Sequence, residues 1–502
     1  MMHRIDPLLQ SWPLFDVAAS RAIEQAALAA RPAHSLMRNA GEAVARLALA
    51  IAPHAQTIWV AAGPGNNGGD GLEAAMHLQQ AGKQVAVTLH GDPKQLPADA
   101  ADALARAQAA GVRITSGVNA ERGSEELVVD ALLGLGASRP PQGEIAAAIE
   151  RVAQARGEVL AVDIPSGLHP ATGQPLGRQA VIATHTLALL SLKPGLYTAA
   201  GRDHAGEVWL ATLSVEAPAR QATAMLAGGP AVARQAARTH AQHKGSFGDV
   251  HVVGGAPSMT GAALLAARAA LAAGAGRVYV NLLDGGSLTH DIVRPELMLR
   301  PDWWQSGAET LAKGCVLCGC GGGEAVREAL PALLVHASRL VLDADALNAI
   351  AADNTLQQQL AARQDRGQAS ILTPHPLEAA RLMASTTHGI QADRLGAARA
   401  LADRYRCVVV LKSSGSIIAS PGAVSHVNPT GNASLATAGT GDVLGGWLAG
   451  LWAGARDELS STAHEAAVRA VFQHGLAAET RPVPAAHALR AADLIERLYR
   501  LD

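Results

Sequence analysis

Two glycine-dense runs and a set of carboxylates carry the chemistry legible in this chain. The run Gly63-Pro64-Gly65-Asn66-Asn67-Gly68-Gly69-Asp70-Gly71 follows an apolar stretch and leads into a helical one. Five glycines in nine residues let the backbone turn tightly, so successive N–H groups can face an anion at a helix N-terminus. The spacing matches neither GxGxxG nor a Walker loop, so neither of those nucleotide fingerprints is implied. Asn66, Asn67 and Asp70 add oxygen and amide groups to the loop. Asp130 closes a second apolar run, ahead of Gly134-Leu135-Gly136-Ala137-Ser138-Arg139-Pro140. Asp163 closes a third, ahead of Pro165-Ser166-Gly167. A carboxylate at a strand end can hold a cation, act as a base or cap the next turn. Three such loops in one α/β unit can converge on one site.

The second half carries Asn432-Ala433-Ser434-Leu435-Ala436-Thr437-Ala438-Gly439-Thr440-Gly441-Asp442, running straight into an apolar helical stretch. Gly439 and Gly441 free the backbone, so N–H groups at the helix start can surround a phosphate charge as it develops. Asp442 stands in the first turn, where it can reach a hydroxyl beside that phosphate. Lys412-Ser413-Ser414-Gly415-Ser416 offers a cation and hydroxyls to a phosphate tail. Gly319-Cys320-Gly321-Gly322-Gly323 lets backbone approach a ligand, and Thr373-Pro374-His375-Pro376 holds a histidine stiffly between prolines. Asp343 and Asp345 stand at another strand end, where one of them could simply cap the following helix.

The elements that must position these groups are short apolar runs alternating with Ala/Leu-rich helical stretches. Strands are predicted at 57–62, 84–89, 127–131, 159–163, 250–253, 277–280, 340–343 and 407–412, and helices at 21–30, 71–81, 261–273, 377–383 and 441–452. Such alternation predicts parallel α/β sheets, with ligands at the carboxyl ends of the strands. The stretch from Ala217 to about Thr239 breaks the pattern with Pro218, Gly228, Gly229 and Pro230, and divides the chain into domains 1–219 and 220–502.

The chain has 502 residues, 49% hydrophobic and 17% charged, with a formal net charge of −2. That composition is globular, and it gives a nucleic-acid partner no electrostatic support. No apolar stretch approaches the ~20 residues of a membrane span, and no signal peptide is expected, which makes the cytoplasm the default location. Four cysteines are too few for a disulfide framework in so long a chain. Cys315, Cys318 and Cys320 cluster within six residues. The spacing lacks a second ligand pair, so a buried strand entering a glycine turn is the preferred reading and a metal site the alternative.

From about residue 10 to 215, the motifs Gly65–Gly71, Asp130–Gly134, Val162–Gly167 and Lys193-Pro194-Gly195-Leu196 together resemble the NAD(P)H-hydrate epimerase domain. The resemblance implies a Rossmann-like, three-layer fold that interconverts the R and S hydrates of NADH and NADPH. It implies substrate contacts at Asn66, Asn67, Gly68, Gly69, Asp70, the Gly134–Pro140 loop and Asp163, and K⁺ among Asn67, Asp130 and Ser166. Asp163 is the candidate base for the epimerisation. From His243-Lys244-Gly245-Ser246-Phe247-Gly248 to about residue 495, the chain is similar to the ADP-dependent NAD(P)H-hydrate dehydratase of ribokinase-like fold. That similarity rests on Met259-Thr260-Gly261-Ala262-Ala263, Asp343–Asn348, Thr373–Pro376 and Gly439–Asp442, among others. It implies that Ala263, Gly323, His375 and Asp442 meet the hydrate. It implies further that Lys412–Ser416, Asn432, Thr437, Gly439, Thr440 and Gly441 meet the nucleotide, with Asp442 as catalytic base. Mg²⁺ would accompany ADP, which would yield AMP and phosphate.

Several positions depart from the family pattern. Leu377 stands where a glycine is usual, Ser434-Leu435 where Gly-Met is usual, and Cys320 lies in a loop usually written GPGLG. Leu377 and Leu435 add bulk near the expected ligand. Two further readings stay open on the residues alone. A small-molecule kinase would share Gly439–Asp442 but leaves the first half unexplained, and a non-catalytic nucleotide sensor fits poorly with intact Asp442 and Asp163. The expected partners are small molecules, with a homo-oligomer as the expected assembly.

Overall fold

A computed structural model describes residues 2–117, 125–233, 237–455, 459–480 and 487–501. The chain forms two compact units, one of Met1–Asp6 with Trp12–Met225 and the other of Pro7–Ser11 with Leu226–Asp502. Among the described residues, no helix is long and apolar enough to cross a membrane.

The first unit is built on eight strands: β1 (Met2–Arg4), β2 (Thr57–Ala62), β3 (Gln84–Leu89), β4 (Arg113–Ser116), β5 (Leu127–Ala131), β6 (Glu158–Val162), β7 (His185–Leu189) and β8 (Glu207–Ala211). Their order across the sheet is β4-β3-β2-β5-β6-β7-β8-β1, parallel throughout except for β1. Val60, Ala62, Val129, Leu160 and Val162 are fully buried, as central strands covered on both faces require. The direction of strand addition reverses between β2 and β5, and a crevice opens at such a point.

Three helices of this unit matter to that crevice: α1 (Val17–Ala29), α2 (Ser35–Ile51) and α3 (Asn66–Gln80). Helix α3 starts at Asn66, five residues before the expected start at Gly71. Gly68, Gly69 and Gly71 are therefore helical residues rather than members of an anion-cradling turn, and close packing explains them. A Cβ on Gly68 would lie 1.9 Å from the Gly63 carbonyl oxygen, and one on Gly71 would lie 2.5 Å from the Ala131 methyl. The glycines let the helix start settle onto the ends of β2 and β5.

In the second unit, nine strands run β9 (Asp249–Gly254), β10 (Arg277–Leu282), β11 (Met298–Leu299), β12 (Cys315–Cys318), β13 (Arg339–Leu342), β14 (Ala369–Leu372), β15 (Val408–Leu411), β16 (Ile417–Ala419) and β17 (Ser425–Val427). They lie side by side as β11-β10-β9-β12-β13-β14-β15-β16-β17, parallel up to β15 and antiparallel beyond it. The helices that bear on the site are α4 (Thr260–Ala272), α5 (Ala344–Ala351), α6 (Pro376–Leu382), α7 (Arg394–Tyr405), α8 (Thr440–Ala453) and α9 (Leu459–Glu479). The small residues of the sequence let α8 press against α4: a Cβ on Gly446 would meet the Ala266 carbonyl oxygen at 1.9 Å. Cys315 and Cys318 are core residues of β12, as the strand reading required.

Candidate functional sites

In the first unit, the segments after β2, β5, β6 and β7 enclose a cavity of about 500 Å³. Its wall takes Asn66, Asn67 and Asp70 from α3, Leu132–Ala137 after β5, Asp163 after β6, and Ser191 and Lys193 after β7. Helices α1 and α2 add Arg21, Glu24 and Met37.

Asp163 leaves the end of β6 in the left-handed region, at φ 69°, which an aspartate tolerates better than most residues. Its carboxylate accepts bonds from the Lys193 ammonium and, at 3.2 Å, from the Leu189 N–H. Lys193 also donates to the Leu189 carbonyl at 2.9 Å, and it is 2% exposed. The sheet thus holds a buried ion pair at the mouth of two adjacent strands. Across the wall, burial holds the Asp70 carboxyl well above the usual carboxylate range, with further help from Asp163, Glu24 and Glu73. Burial and Asp163 also raise Glu24. The cavity therefore brings together acidic groups able to keep a proton and a carboxylate held by an ammonium.

Behind the wall, Asp130 is fully buried and accepts from the Ser166 N–H at 2.8 Å and the Ser166 hydroxyl at 2.6 Å. Burial pushes its carboxyl up to about 6. Asn67 lies close to the same strand end, where a Cβ on Gly134 would fall 2.9 Å from its side-chain oxygen. The Asn67 amide nitrogen is buried without a hydrogen-bond partner.

The expected residues Asn66, Asn67, Asp70, Gly134, Leu135, Gly136, Ala137 and Asp163 thus line one cavity. Gly68 and Gly69 lie in the packed helix start, and the wall ends short of Ser138, Arg139 and Pro140. Lys193 and Glu24 were not among the expected site residues. A lysine directly after the apolar run Leu189-Leu190-Ser191-Leu192 is the signal that could have pointed to Lys193.

In the second unit, the ends of β12, β13 and β15 face the first turn of α8. Side-chain ligand atoms of Cys320, Asp343 and Asp442 all lie within 4.8 Å of one another. The Lys412 ammonium donates to Asp343 at 2.7 Å, and a Cβ on Gly441 would lie 3.6 Å from the same nitrogen. A positive charge therefore stands beside the N-terminus of α8. Burial, then Asp343, pushes the Asp442 carboxyl up to about 6, against the opposing pull of the Cys320 thiol and Lys412. Burial alone would lower Lys412, but Asp343 and Glu378 hold it above its ordinary value. Burial and the two aspartates push the Cys320 thiol far up, so it is a neutral S–H donor to Asp442.

The loop before α8 is tied down. Gly439 takes φ 89°, a conformation that favours glycine, and turns the chain into the helix. The Thr440 hydroxyl lies 2.9 Å from both the Leu435 and Thr437 carbonyl oxygens. His474 of α9 donates from Nε2 to the Thr440 carbonyl at 2.9 Å, and burial lowers its imidazole to about 4. The first N–H groups of the helix have no partner inside it.

His375 caps α6, its Nδ1 accepting from the Leu377 N–H at 3.1 Å, and its side chain remains half-exposed. Its fixed direction is thus a capping geometry. Glu378 closes the capping box by accepting from the His375 N–H at 2.8 Å, and burial lifts its carboxyl to about 7. Gly323 donates to Asp345 at 2.8 Å. Ala263 is fully buried in the core. Asn432 is exposed, and its side chain caps a short turn by accepting from the Ser434 N–H. Leu435 packs against the core, whereas Leu377 is exposed.

Ser413–Ser416 form the loop after β15. The buried Arg394 holds it by donating to the Ser414 and Gly415 carbonyls at 2.6 and 3.0 Å. Arg394 was missed in the sequence, and the Cys320 thiol was read there only as part of the cysteine cluster.

Comparison with known proteins separates the same two parts. Residues 33–195 match the family described as YjeF-related protein N-terminus, and residues 250–500 match the family described as NAD(P)H-hydrate dehydratase. The bifunctional NAD(P)H-hydrate repair enzyme of Escherichia coli is 33% identical over 483 residues, covering 93% of this chain and 89% of its own. That of Coxiella burnetii is 36% identical over 457 residues, covering 89% and 90%. The crystal structure of the Bacillus subtilis ADP/ATP-dependent NAD(P)H-hydrate dehydratase, co-crystallized with ATP/Mg²⁺, is 29% identical, covers 54% of this chain and 95% of its own, and aligns with a TM-score of 0.44.

Proposed function

The chain belongs to the family of bifunctional NAD(P)H-hydrate repair enzymes, and on that premise we propose how its two sites divide the work. Domain 1–219 epimerises the R and S hydrates of NADH and NADPH. Domain 220–502 dehydrates the S hydrate with ADP, giving AMP and phosphate. The observation that carries the second assignment is Asp442 in the first turn of α8, beside the Gly439–Gly441 backbone and the Lys412 ammonium.

Hydroxide leaves poorly, and a phosphate ester leaves well. Asp442 takes the proton of the hydrate hydroxyl as its oxygen attacks the terminal phosphoryl group of ADP. The N–H groups of Gly439–Gly441, together with Lys412, hold the charge spread over the transferring oxygens. The ring nitrogen lone pair then expels phosphate, and loss of a proton from the neighbouring ring carbon restores the reduced nicotinamide. Mg²⁺ bound to the nucleotide would neutralise its phosphates.

In the first domain, the hydroxyl-bearing carbon must release its hydroxyl and take one back on the other face. Asp70, whose carboxyl burial holds well above the usual carboxylate range, is the acid that donates to the departing oxygen. Asp163, held by Lys193, is the base that draws a proton from the returning water. K⁺ among Asn67, Asp130 and Ser166 would supply the charge that the buried Asp130 carboxylate lacks, and oxygen ligands suit it. The four buried free cysteines fit a reducing compartment, and we place the reaction in the cytoplasm.

The test is to incubate the protein with mixed hydrates, ADP and Mg²⁺ and follow reduced-nicotinamide absorbance. Full recovery is expected, and Asp442→Ala should abolish it while epimerisation continues. No recovery with either ADP or ATP overturns the dehydratase assignment. Recovery of the S form alone overturns the epimerase assignment. Replacing K⁺ by a bulky organic cation should slow epimerisation and leave dehydration of pure S hydrate unchanged.

A further inference from the structure

Cys320 stands apart from the other three cysteines. Cys315, Cys318 and Cys407 are buried among the strands of the sheet core. Cys320 is also fully buried and packs in the apolar core of the second unit, but its sulfur lies within reach of two carboxylates as well. Three separate elements deliver the ligand atoms: the turn after β12, the end of β13 and the first turn of α8. All three atoms lie within 4.8 Å of one another. Cys320 and Asp343 are closed off from solvent, while Asp442 is part-exposed and gives the cluster one open side. Buried carboxylates so close together call for positive charge, and Lys412 on Asp343 supplies only one unit of it.

We propose that Cys320, Asp343 and Asp442 form a binding site for a thiophilic divalent cation of the zinc class, and that its occupation shuts off the second site. Zinc holds thiolate sulfur at about 2.3 Å and carboxylate oxygen at about 2.0–2.2 Å, so its ligand atoms stand roughly 3.5 Å apart. The cluster reaches that spacing by side-chain adjustments of an ångström or so. On binding, the S–H bond breaks, the S–metal bond forms and the proton leaves to solvent, with no change of oxidation state. The charges then balance: a thiolate and two carboxylates face a divalent ion and the Lys412 ammonium. Mg²⁺ prefers oxygen and water and gains nothing from the sulfur, so this site is distinct from metal riding on nucleotide phosphates. Inhibition rests on the dehydratase reading, because a metal-bound Asp442 cannot accept the hydroxyl proton. Cation binding itself does not rest on it.

Co²⁺ reports the site directly. Titrated into the full-length protein, it should produce a sulfur-to-cobalt charge-transfer band that Zn²⁺ displaces. Cys315→Ala should retain the band and Cys320→Ala should lose it. Should Cys320→Ala fail to fold, Asp343→Asn keeps the sulfur and should weaken Co²⁺ binding about tenfold or more. In the dehydration assay at saturating Mg²⁺ and ADP, low Zn²⁺ should inhibit the wild type while epimerisation continues. Cys320→Ala, compared with its own metal-free rate, should need about tenfold more Zn²⁺ or above. Absence of the band, its persistence in Cys320→Ala, or unchanged Co²⁺ affinity in Asp343→Asn would overturn the site. A band without inhibition would overturn the shut-off. Failure of the dehydratase reading would show separately, as no turnover before any zinc is added.

Discussion

Replacing Asp343 by Asn removes one negative charge beside Asp442 while keeping the side chain's size. Burial and then Asp343 lift the Asp442 carboxyl from 3.8 to about 6, and Lys412 works in the opposite direction. In the variant, Lys412 keeps its charge and loses its tight partner, so both changes favour ionised Asp442. The total rise corresponds to ~3 kcal/mol at about 1.4 kcal/mol per pH unit. Burial is its larger share and survives the substitution, so the expected downward displacement is about 0.5–1 pH unit. A base with its midpoint at about 6 is roughly one-tenth ionised at pH 5, and after the shift roughly a quarter to a half. The assay is kcat/KM for dehydration of the S hydrate from pH 5 to 8, each enzyme normalised to its own plateau, with an enzyme-free blank for acid breakdown of the substrate. The plateau itself should fall, because Asp343 positions Lys412. Glu378, at about 7, is the competing source of an acidic limb, so Glu378→Gln should leave the limb near 6 in place. An Asp343→Asn limb that stays put or moves upward would refute the assignment of Asp442 as the base.

Lys193→Met leaves the Asp163 carboxylate buried without its cation, and the first unit should lose about 3–5 kcal/mol in urea unfolding along with its epimerase activity. A loss under ~1 kcal/mol would mean that the pair is solvated. Gly68→Ala forces a methyl to 1.9 Å from the Gly63 carbonyl oxygen and should cost about 1–3 kcal/mol, with weaker hydrate binding. Gly65→Ala, which meets nothing within 4 Å, should change stability by about 0.5 kcal/mol or less, and equal effects at the two positions would remove close packing as the reason for Gly68. His474 has a folded midpoint of about 4 against an ordinary 6.5, so its contribution is complete above 6.5 and is lost as pH falls toward 4. The loss should approach ~3 kcal/mol, and a His474→Asn protein with an unchanged pH dependence of unfolding would contradict it.

Strand positions were legible because buried Val/Leu runs are bounded sharply. The expected 57–62, 84–89 and 127–131 stand as they were read. The start of α3 was not, because glycine in sequence signals a turn. Gly68 and Gly71 are helical because backbone and Ala131 press against them, and sequence carries no trace of that pressure. At the second site, Gly439–Asp442 and Lys412 were visible as types in context. The partners of buried cations were not: Asp163 lies thirty residues from Lys193, and Arg394 lies twenty from Ser414. His375 shows the converse limit, since two prolines announced a fixed direction without saying that the fixed atom caps a helix. The Cys320 cluster needs two strand ends and a helix start side by side, an order that sequence spacing does not contain.

The ties on the loop before α8 bear on where its ordering cost falls. Gly439 in its left-handed turn, the Thr440 hydroxyl against two carbonyls and the His474 donor bond all use partners from this chain itself. Those ties order the loop as the chain folds, so on the nucleotide-site assignment proposed above turnover does not wait for a disordered segment to assemble around each nucleotide. The barrier to phosphoryl transfer then carries little backbone entropy from this loop. Rate-limiting motion, where it occurs, belongs to less tethered parts of the site, and nucleotide binding should change hydrogen exchange of the Gly439–Gly441 amides mainly by shielding amides that are already held in place.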